Sequence, residues 1–220
     1  VRTAALRALA RLLGAEARDL LEPALSDAEP DVRLCAVEQL CGFEGADDLL
    51  ADVVNREAGE VRRRALIALA NRGVVSPTLL TAYTEFLLEG ANVTDLSDVA
   101  YLDGLGAAAR ALGQANTPEG LIALTGLVRS VIKRLRRIAI EGIMSYPADE
   151  RGDALHSLQD TYDMDVLKNV AFGLHEGGDR RALVPLVRTS YECKGRPQLS
   201  AQAAVKEYDD TSDLDFLVSC

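Results

Sequence analysis

Tryptophan is absent from this 220-residue chain, which holds only two His, four Phe and six Tyr. With 5% aromatics against 48% hydrophobic residues, the core has to be built from Leu, Val, Ile and Ala, and that suits closely packed helices. Long apolar runs are missing too. None approaches the roughly 18 residues of a membrane span, so no membrane partner is expected. The four Cys, at 35, 41, 193 and 220, form neither a CxxC pair nor a dense disulfide framework, which fits a reducing, cytoplasmic setting. No HExxH, GxSxG, GxGxxG or Walker-type loop occurs, so the familiar hydrolase and nucleotide motifs give no footing for catalysis. Positive charge is short as well. There are 24 Lys and Arg against 34 Asp and Glu, a net charge of −10 with pI near 4.8, which disfavours non-specific binding to nucleic acid. Only four of the cations are Lys (133, 168, 194 and 206), a usage that suits a GC-rich bacterial genome.

What the chain does have is a repeat. Val1-Arg2-x-x-Ala5, Val32-Arg33-x-x-Ala36 and Val61-Arg62-x-x-Ala65 open three helical runs, and the register returns at Leu135-Arg136-x-x-Ala139, Val166-Leu167-x-x-Val170 and Leu199-Ser200-x-x-Ala203. A degenerate copy starts near Val99 and closes with Ala111-Leu112-Gly113. Seven copies recur every 30 to 38 residues or so, the spacing of stacked helical hairpins. Partner helices are expected between them, at 16–25, 47–54, 77–88, 118–128, 153–162 and 182–191, where apolar residues fall three and four apart. Pro77 and Pro118 suit first helical turns behind the caps Ser76 and Thr117; Asp31, Asp98 and Asp165 are expected to cap motif helices. Gly14, Gly42, Gly73, Gly113 and Gly177 mark expected helix ends. Small residues at Ala5, Ala36, Ala65, Ala139, Ala171 and Ala203 allow close crossings. The polar stretch 90–97 (GANVTDLS) breaks the period as a longer loop.

The V-R-x-x-A-x-x-A-L helix followed by Gly, best seen in VRTAALRALARLLG, VRLCAVEQLCG and VRRRALIALANRG, resembles the HEAT-like repeats of the bacterial class found in phycobilisome lyases. The resemblance covers nearly the whole chain and implies an all-α fold, an α-α superhelix (solenoid) of about six to seven HEAT-like hairpins. On that reading 1–220 is a single HEAT-like repeat domain whose motif helices line an inner face. The first run begins at Val1 and the last stretch, DLDFLVSC, closes the chain, so a segment of a longer protein is expected.

Two readings compete for the arginines. Arg2, Arg33, Arg62 and Arg136 share the second motif position, and a ladder of ion pairs between repeats is the simpler use for them, with Asp31 and Glu60 as nearby acids. Two clusters exceed that need: Arg62-Arg63-Arg64, and Arg129, Lys133, Arg134, Arg136 and Arg137, of which 129, 133, 136 and 137 would share one face of a continuous helix. Asp149, Glu150 and Asp153 are the expected neutralisers. Arg62, Arg63, Lys133, Arg136 and Arg137 are the candidate residues for binding a protein partner with an acidic surface.

Metal and redox chemistry find little support. The deoxyhypusine hydroxylases, a second enzyme family on this architecture, hold two irons with several His-Glu pairs, whereas this chain offers only His175-Glu176, with His156 apart from it. No metal site and no cofactor are expected. His156 reads as a helix-surface or half-buried side chain, and His175 as a cation at a helix C-terminus. Cys35 and Cys41 read as small core residues, and Cys193 as a more exposed loop thiol. The acidic stretches 160–165 and 209–215 lack the Gly and Glu of a calcium loop. The expected function is therefore non-enzymatic: a scaffold or adaptor holding a protein partner on the concave face. The alternatives are an accessory subunit of a lyase-like or cofactor-handling enzyme, which a coloured purified protein would betray, and nucleic-acid binding through 129–137, which salt dependence would separate.

Overall fold

The computed structural model describes residues 1–90 and 98–208, so the stretches 91–97 and 209–220, with most of the 90–97 loop, the acidic run 209–215 and Cys220, lie outside the described residues. Among the described residues there are thirteen α-helices and no strand: α1 Arg2–Leu13, α2 Arg18–Leu21, α3 Pro30–Leu40, α4 Asp47–Arg56, α5 Gly59–Asn71, α6 Pro77–Gly90, α7 Val99–Ala115, α8 Pro118–Leu127, α9 Lys133–Met144, α10 Ala148–His156, α11 Met164–Glu176, α12 Leu183–Glu192 and α13 Arg196–Val205. The seven motif copies are the odd-numbered helices and the partner helices the even ones. The fold is all-α and of the helical-repeat type.

The chain divides into two compact units, Val1–Leu87 with Asp95–Ala111, and Leu88–Thr94 with Leu112–Cys220, the boundary falling inside α7. In the first, α1 packs on α3, α3 on α5 and α4 on α5. Leu21, Leu25, Ala36, Leu40, Leu50, Val53, Ala65, Leu69, Leu87 and Leu105 form its core. In the second, α8 packs on α9, α9 on α11, α10 on α11, and α12 on both α11 and α13. Leu124, Leu135, Ala139, Ile143, Leu155, Leu167, Ala171 and Leu186 are buried there. No hairpin covers its own apolar stripe, so each is stable only against its neighbours. Ala36, Ala65, Ala139 and Ala171 are fully buried, as close crossings require, but Ala5 and Ala203 are exposed.

Several ends differ from the sequence expectation, each for a local reason. Thr117 caps α8 by accepting from Gly120 N at 3.2 Å, Ser76 accepts from Leu79 N at 3.3 Å, and Asp98 accepts from Tyr101 N at 2.9 Å. Asp31 does not cap: Pro30 starts α3 one residue earlier, so Asp31 lies in its first turn. Asp163, not Asp165, caps α11, accepting from Asp165 N and Val166 N. Gly113 lies within α7 instead of ending it, and the helix stops at Asn116, which takes the positive φ of 51°. The expected helix at 153–162 is displaced to Ala148–His156 behind its N-cap Pro147. The expected helix at 16–25 is split into a 3-10 turn, the four-residue α2 and a second 3-10 turn entered through Pro23.

Candidate functional site

The second-position arginines build a ladder. Arg2 pairs with Asp27 at 2.7 Å, Arg33 with Glu57 at 3.0 Å, Arg62 with Glu85 at 2.8 Å and Arg136 with Asp163 at 2.7 Å. The acids are not the expected Asp31 and Glu60, which stand in the same turn as the motif. Each true partner lies 23 to 27 residues beyond its Arg, on the partner helix or in the turn that enters the next repeat. Backbone carbonyls complete the grip. Arg33 donates to Asp27 O at 2.9 Å, Arg62 to Val54 O at 3.2 Å, and Arg136 to Ser130 O and Val131 O, both at 2.9 Å. A planar guanidinium serves several acceptors at once, which an ammonium cannot do with the same geometry. Asp163 feels burial pushing its pKa up, but the bond from Arg136 and the two N–H donors win, and it is held below the usual aspartate range.

A second set of side chains closes exposed helix ends. Arg72 donates to the carbonyls of Leu40, Cys41 and Phe43 at 3.2, 2.8 and 2.9 Å and also bonds Asp47. Arg151, the one buried charged residue among the described residues, donates to Met144 O at 2.7 Å, Tyr146 O at 3.3 Å and Glu176 at 3.0 Å. The Tyr146 hydroxyl donates to Leu112 O or Thr117 O, each at 3.0 Å. These groups satisfy the orphan carbonyls that every helix C-terminus leaves. Nothing in the repeat pattern singles out Arg72 or Arg151; only a lone Arg within an apolar-periodic stretch hints at such a clamp.

The five candidate binding residues fall into two places. Arg62 and Arg63 stand on α5, where Arg63 pairs with Glu60, approaches Asp98 at 3.7 Å and lies over the Tyr101 ring at 4.8 Å. Lys133, Arg136 and Arg137 stand on α9. The expected single helix face through Arg129 does not exist, because α8 ends at Leu127 and α9 begins at Lys133, with the Ser130 hydroxyl accepting from Ile132 N in the turn between. Lys133, Arg136 and Arg137 pair with acids other than Asp149, Glu150 and Asp153. Lys133 meets Asp165 at 2.9 Å and Arg137 meets Glu141 at 3.7 Å, while Asp153 pairs with Arg181 at 2.7 Å. Exposure sorts the three α9 cations: the side chains of Lys133 and Arg137 are 71% and 64% exposed, that of Arg136 only 22%. α9 also has no acid in its first turn and no side-chain cap, so its positive end faces its own cations.

Asp165 lies between Lys168 at 2.6 Å and Lys133 at 2.9 Å. Their hydrogen bonds, that of Lys168 foremost, hold its carboxyl down to about 2. A carboxylate depressed by folding contributes stability in full above its unfolded pKa and loses it as pH falls through the folded value. Wild type and Asp165→Asn are therefore expected to differ in urea midpoint at pH 7 and to converge as the pH drops toward 2.

On α3, α5 and α7 a cleft of about 590 Å³ is lined by Glu38, Cys41, Arg64, Asn71 and Asp103 over Ile67 and Ala68. Burial raises the Cys41 pKa, which keeps it a thiol. Cys35 is buried and Cys193 half-buried at the end of α12. His156 ends α10, and His175, in the last turn of α11, lies 3.1 Å from the Tyr208 hydroxyl through Nδ1. Among the described residues no group of three or more His, Cys, Asp or Glu is placed to hold a metal ion, and no helix is long and apolar enough to cross a membrane.

No protein family matches the chain in a scan of family profiles, and no curated protein matches it. Solved structures do. Human deoxyhypusine hydroxylase in complex with glycerol is 19% identical with a TM-score of 0.45, over 94% of this chain and 79% of that one. An engineered protein gives 18% identity and a TM-score of 0.49 over 86% of this chain and 95% of its own. Another engineered protein gives 19% identity and a TM-score of 0.54, over 91% of this chain and 60% of its own length. At such identity the likeness speaks for the fold alone, and that fold is an all-helical repeat.

Proposed function

We propose that the protein is a non-enzymatic scaffold or adaptor of HEAT-like repeats that holds an acidic protein partner on the exposed face of α9. The observation that carries this reading is the pair Lys133 and Arg137, two strongly exposed cations at the uncapped start of α9. Their intrachain partners are exposed too, and such pairs contribute only about 0–1 kcal/mol each. A partner's carboxylates can replace them at little cost. Arg136 is different: it is committed to Asp163 and two carbonyls, and it serves the repeat instead of the partner. Arg62 belongs to the same ladder, and Arg63 is held by Glu60, Asp98 and Tyr101. Complementary charge of this kind sets encounter rate and register, with shape supplied by the motif helices around it.

The test is affinity capture from lysate of the source organism, with wild type beside Lys133→Glu/Arg137→Glu. A protein retained by the wild type, released by salt and lost by the variant at a temperature where the variant remains folded is the expected result. Equal retention by both, or retention of nucleic acid in place of protein, overturns it.

A further inference from the structure

We infer that the cleft on α3, α5 and α7 binds a free α-amino acid with a large apolar side chain, its carboxylate on Arg64, its ammonium on Glu38 and its side chain over Ile67 and Ala68. The observation is a set of polar groups that the fold leaves without hydrogen bonds in one place. Each ladder arginine meets its acid at 3.0 Å or less. Arg64 and Glu38 stay 3.6 Å apart, too far for a hydrogen bond, and Arg7 approaches Glu38 from α1 only to 3.9 Å. Among the described residues no carbonyl accepts from the Arg64 guanidinium, and the Asn71 amide has no partner. Arg64, Ile67, Ala68 and Asn71 fall at i, i+3, i+4 and i+7, one face of α5, while Glu38 and Cys41 come from α3 and Asp103 from α7. These are interior repeats. α1 packs on α3, and α7 comes so close to α5 that a Cβ at Gly104 would collide with Ile67 Cγ1. The cleft is therefore walled by consecutive motif helices and does not lie at an end of the chain.

Charge selects the ligand. Arg72 also borders the cleft, but Asp47 and three carbonyls already hold it, and Cys41 stays a neutral thiol. That leaves one guanidinium, Arg64, beside two carboxylates, Glu38 and Asp103. An anion without a positive group would face both carboxylates, and a cation without a negative group would leave the Arg64 donors unfilled. An α-amino acid has both charges on one carbon, as a carboxylate and a guanidinium 3.6 Å apart require. Its carboxylate can take two N–H donors of the Arg64 fork, and its ammonium meets Glu38. The Asn71 side chain offers a further donor and acceptor, and Ile67 and Ala68 supply the apolar floor. A volume of about 590 Å³ falls within the range of small-molecule sites and is more than glycine or alanine fills, which is why a large side chain is assigned. The cleft belongs to the first unit, and this reading does not depend on the α9 face.

The measurement is calorimetric titration of the whole chain with L-leucine, L-methionine and L-phenylalanine, with glycine beside them. At least one of the three is expected to bind with a Kd of about 0.1 mM or tighter, and glycine at least about tenfold more weakly. The N-acetyl form of that amino acid lacks the ammonium and its amide form lacks the carboxylate; each is expected to bind at least about tenfold more weakly. Arg64→Gln is expected to abolish the preference for the free acid over the amide. Glu38→Gln is expected to abolish the preference for the free amine over the N-acetyl form, a crossed pattern that loss of structure alone does not give. No heat from any of the three at about 10 mM, N-acetyl or amide forms that bind as well as the amino acid, as residues of a peptide segment would, or preferences that survive both substitutions would overturn the assignment.

Discussion

Replacing Arg151 with Met is expected to lower the unfolding free energy by about 3 kcal/mol, one of the largest losses available to a single polar substitution in this chain. The guanidinium is buried and its donors reach Met144 O, Tyr146 O and the Glu176 carboxylate. Methionine fills similar volume, so packing is kept and the loss isolates the hydrogen bonds. Two carbonyls at the end of α9 are left without a donor, and each buried unpaired group costs about 1–3 kcal/mol. The Glu176 side chain is well exposed, so its part is small. Glu176→Gln should therefore cost under about 1 kcal/mol. Urea unfolding of the two variants checks both numbers; equal losses would mean that the ion pair, and not the carbonyl clamp, is what Arg151 supplies.

Gly113→Ala is expected to destabilise by about 2 kcal/mol, although alanine is the better helix former by up to about 1 kcal/mol. A Cβ at 113 would lie 2.8 Å from Ser145 Oγ and 3.0 Å from both Cα and O of Gly142. Those last two atoms are backbone and cannot swing aside. α7 and α9 are in contact through two glycines, and the Ser145 hydroxyl donates to Gly142 O at 2.6 Å or across the gap to Gly113 O at 3.0 Å. Gly126→Ala is the counter-case. It lies inside α8, and its Cβ would meet only Leu88 Cδ2, at 3.8 Å. A gain of about 0.5–1 kcal/mol is expected there. Opposite signs for one substitution type in two helices would separate the crossing from helix propensity.

Those two cases also show what a single sequence discloses. The motif helices were legible because V-R-x-x-A combines a 3.6-residue period with a fixed small residue, and both signals repeat. Partner helices were legible where a proline marks the start, as at Pro77 and Pro118, and less so near 148–156, where Pro147 acts from outside the helix. The role of Arg136 as a rung could be read from its motif position, but its acid could not. Asp163 is a cap and a rung together, and its distance from Arg136 in sequence is set by the length of the intervening hairpin. Gly113 was misread as a stop because interior glycines and terminal glycines look alike until a neighbouring backbone is in view. The basic run 129–137 failed as a continuous face for a similar reason, since the turn at Ser130 has no Gly or Pro to announce it.

The central claim is a division of labour on α9: Arg136 couples repeats, while Lys133 and Arg137 meet the partner. The measurement that tests it most directly is a crossed comparison of unfolding and partner retention for Arg136→Gln and Lys133→Glu/Arg137→Glu. Arg136→Gln is expected to lose about 2 kcal/mol of stability yet keep the partner under conditions where it remains folded. The double variant is expected to stay folded, with a loss of about 1 kcal/mol or less per broken pair, and to lose the partner. If instead the double variant still binds, or Arg136→Gln loses binding with its stability intact, the assignment of these three cations is contradicted.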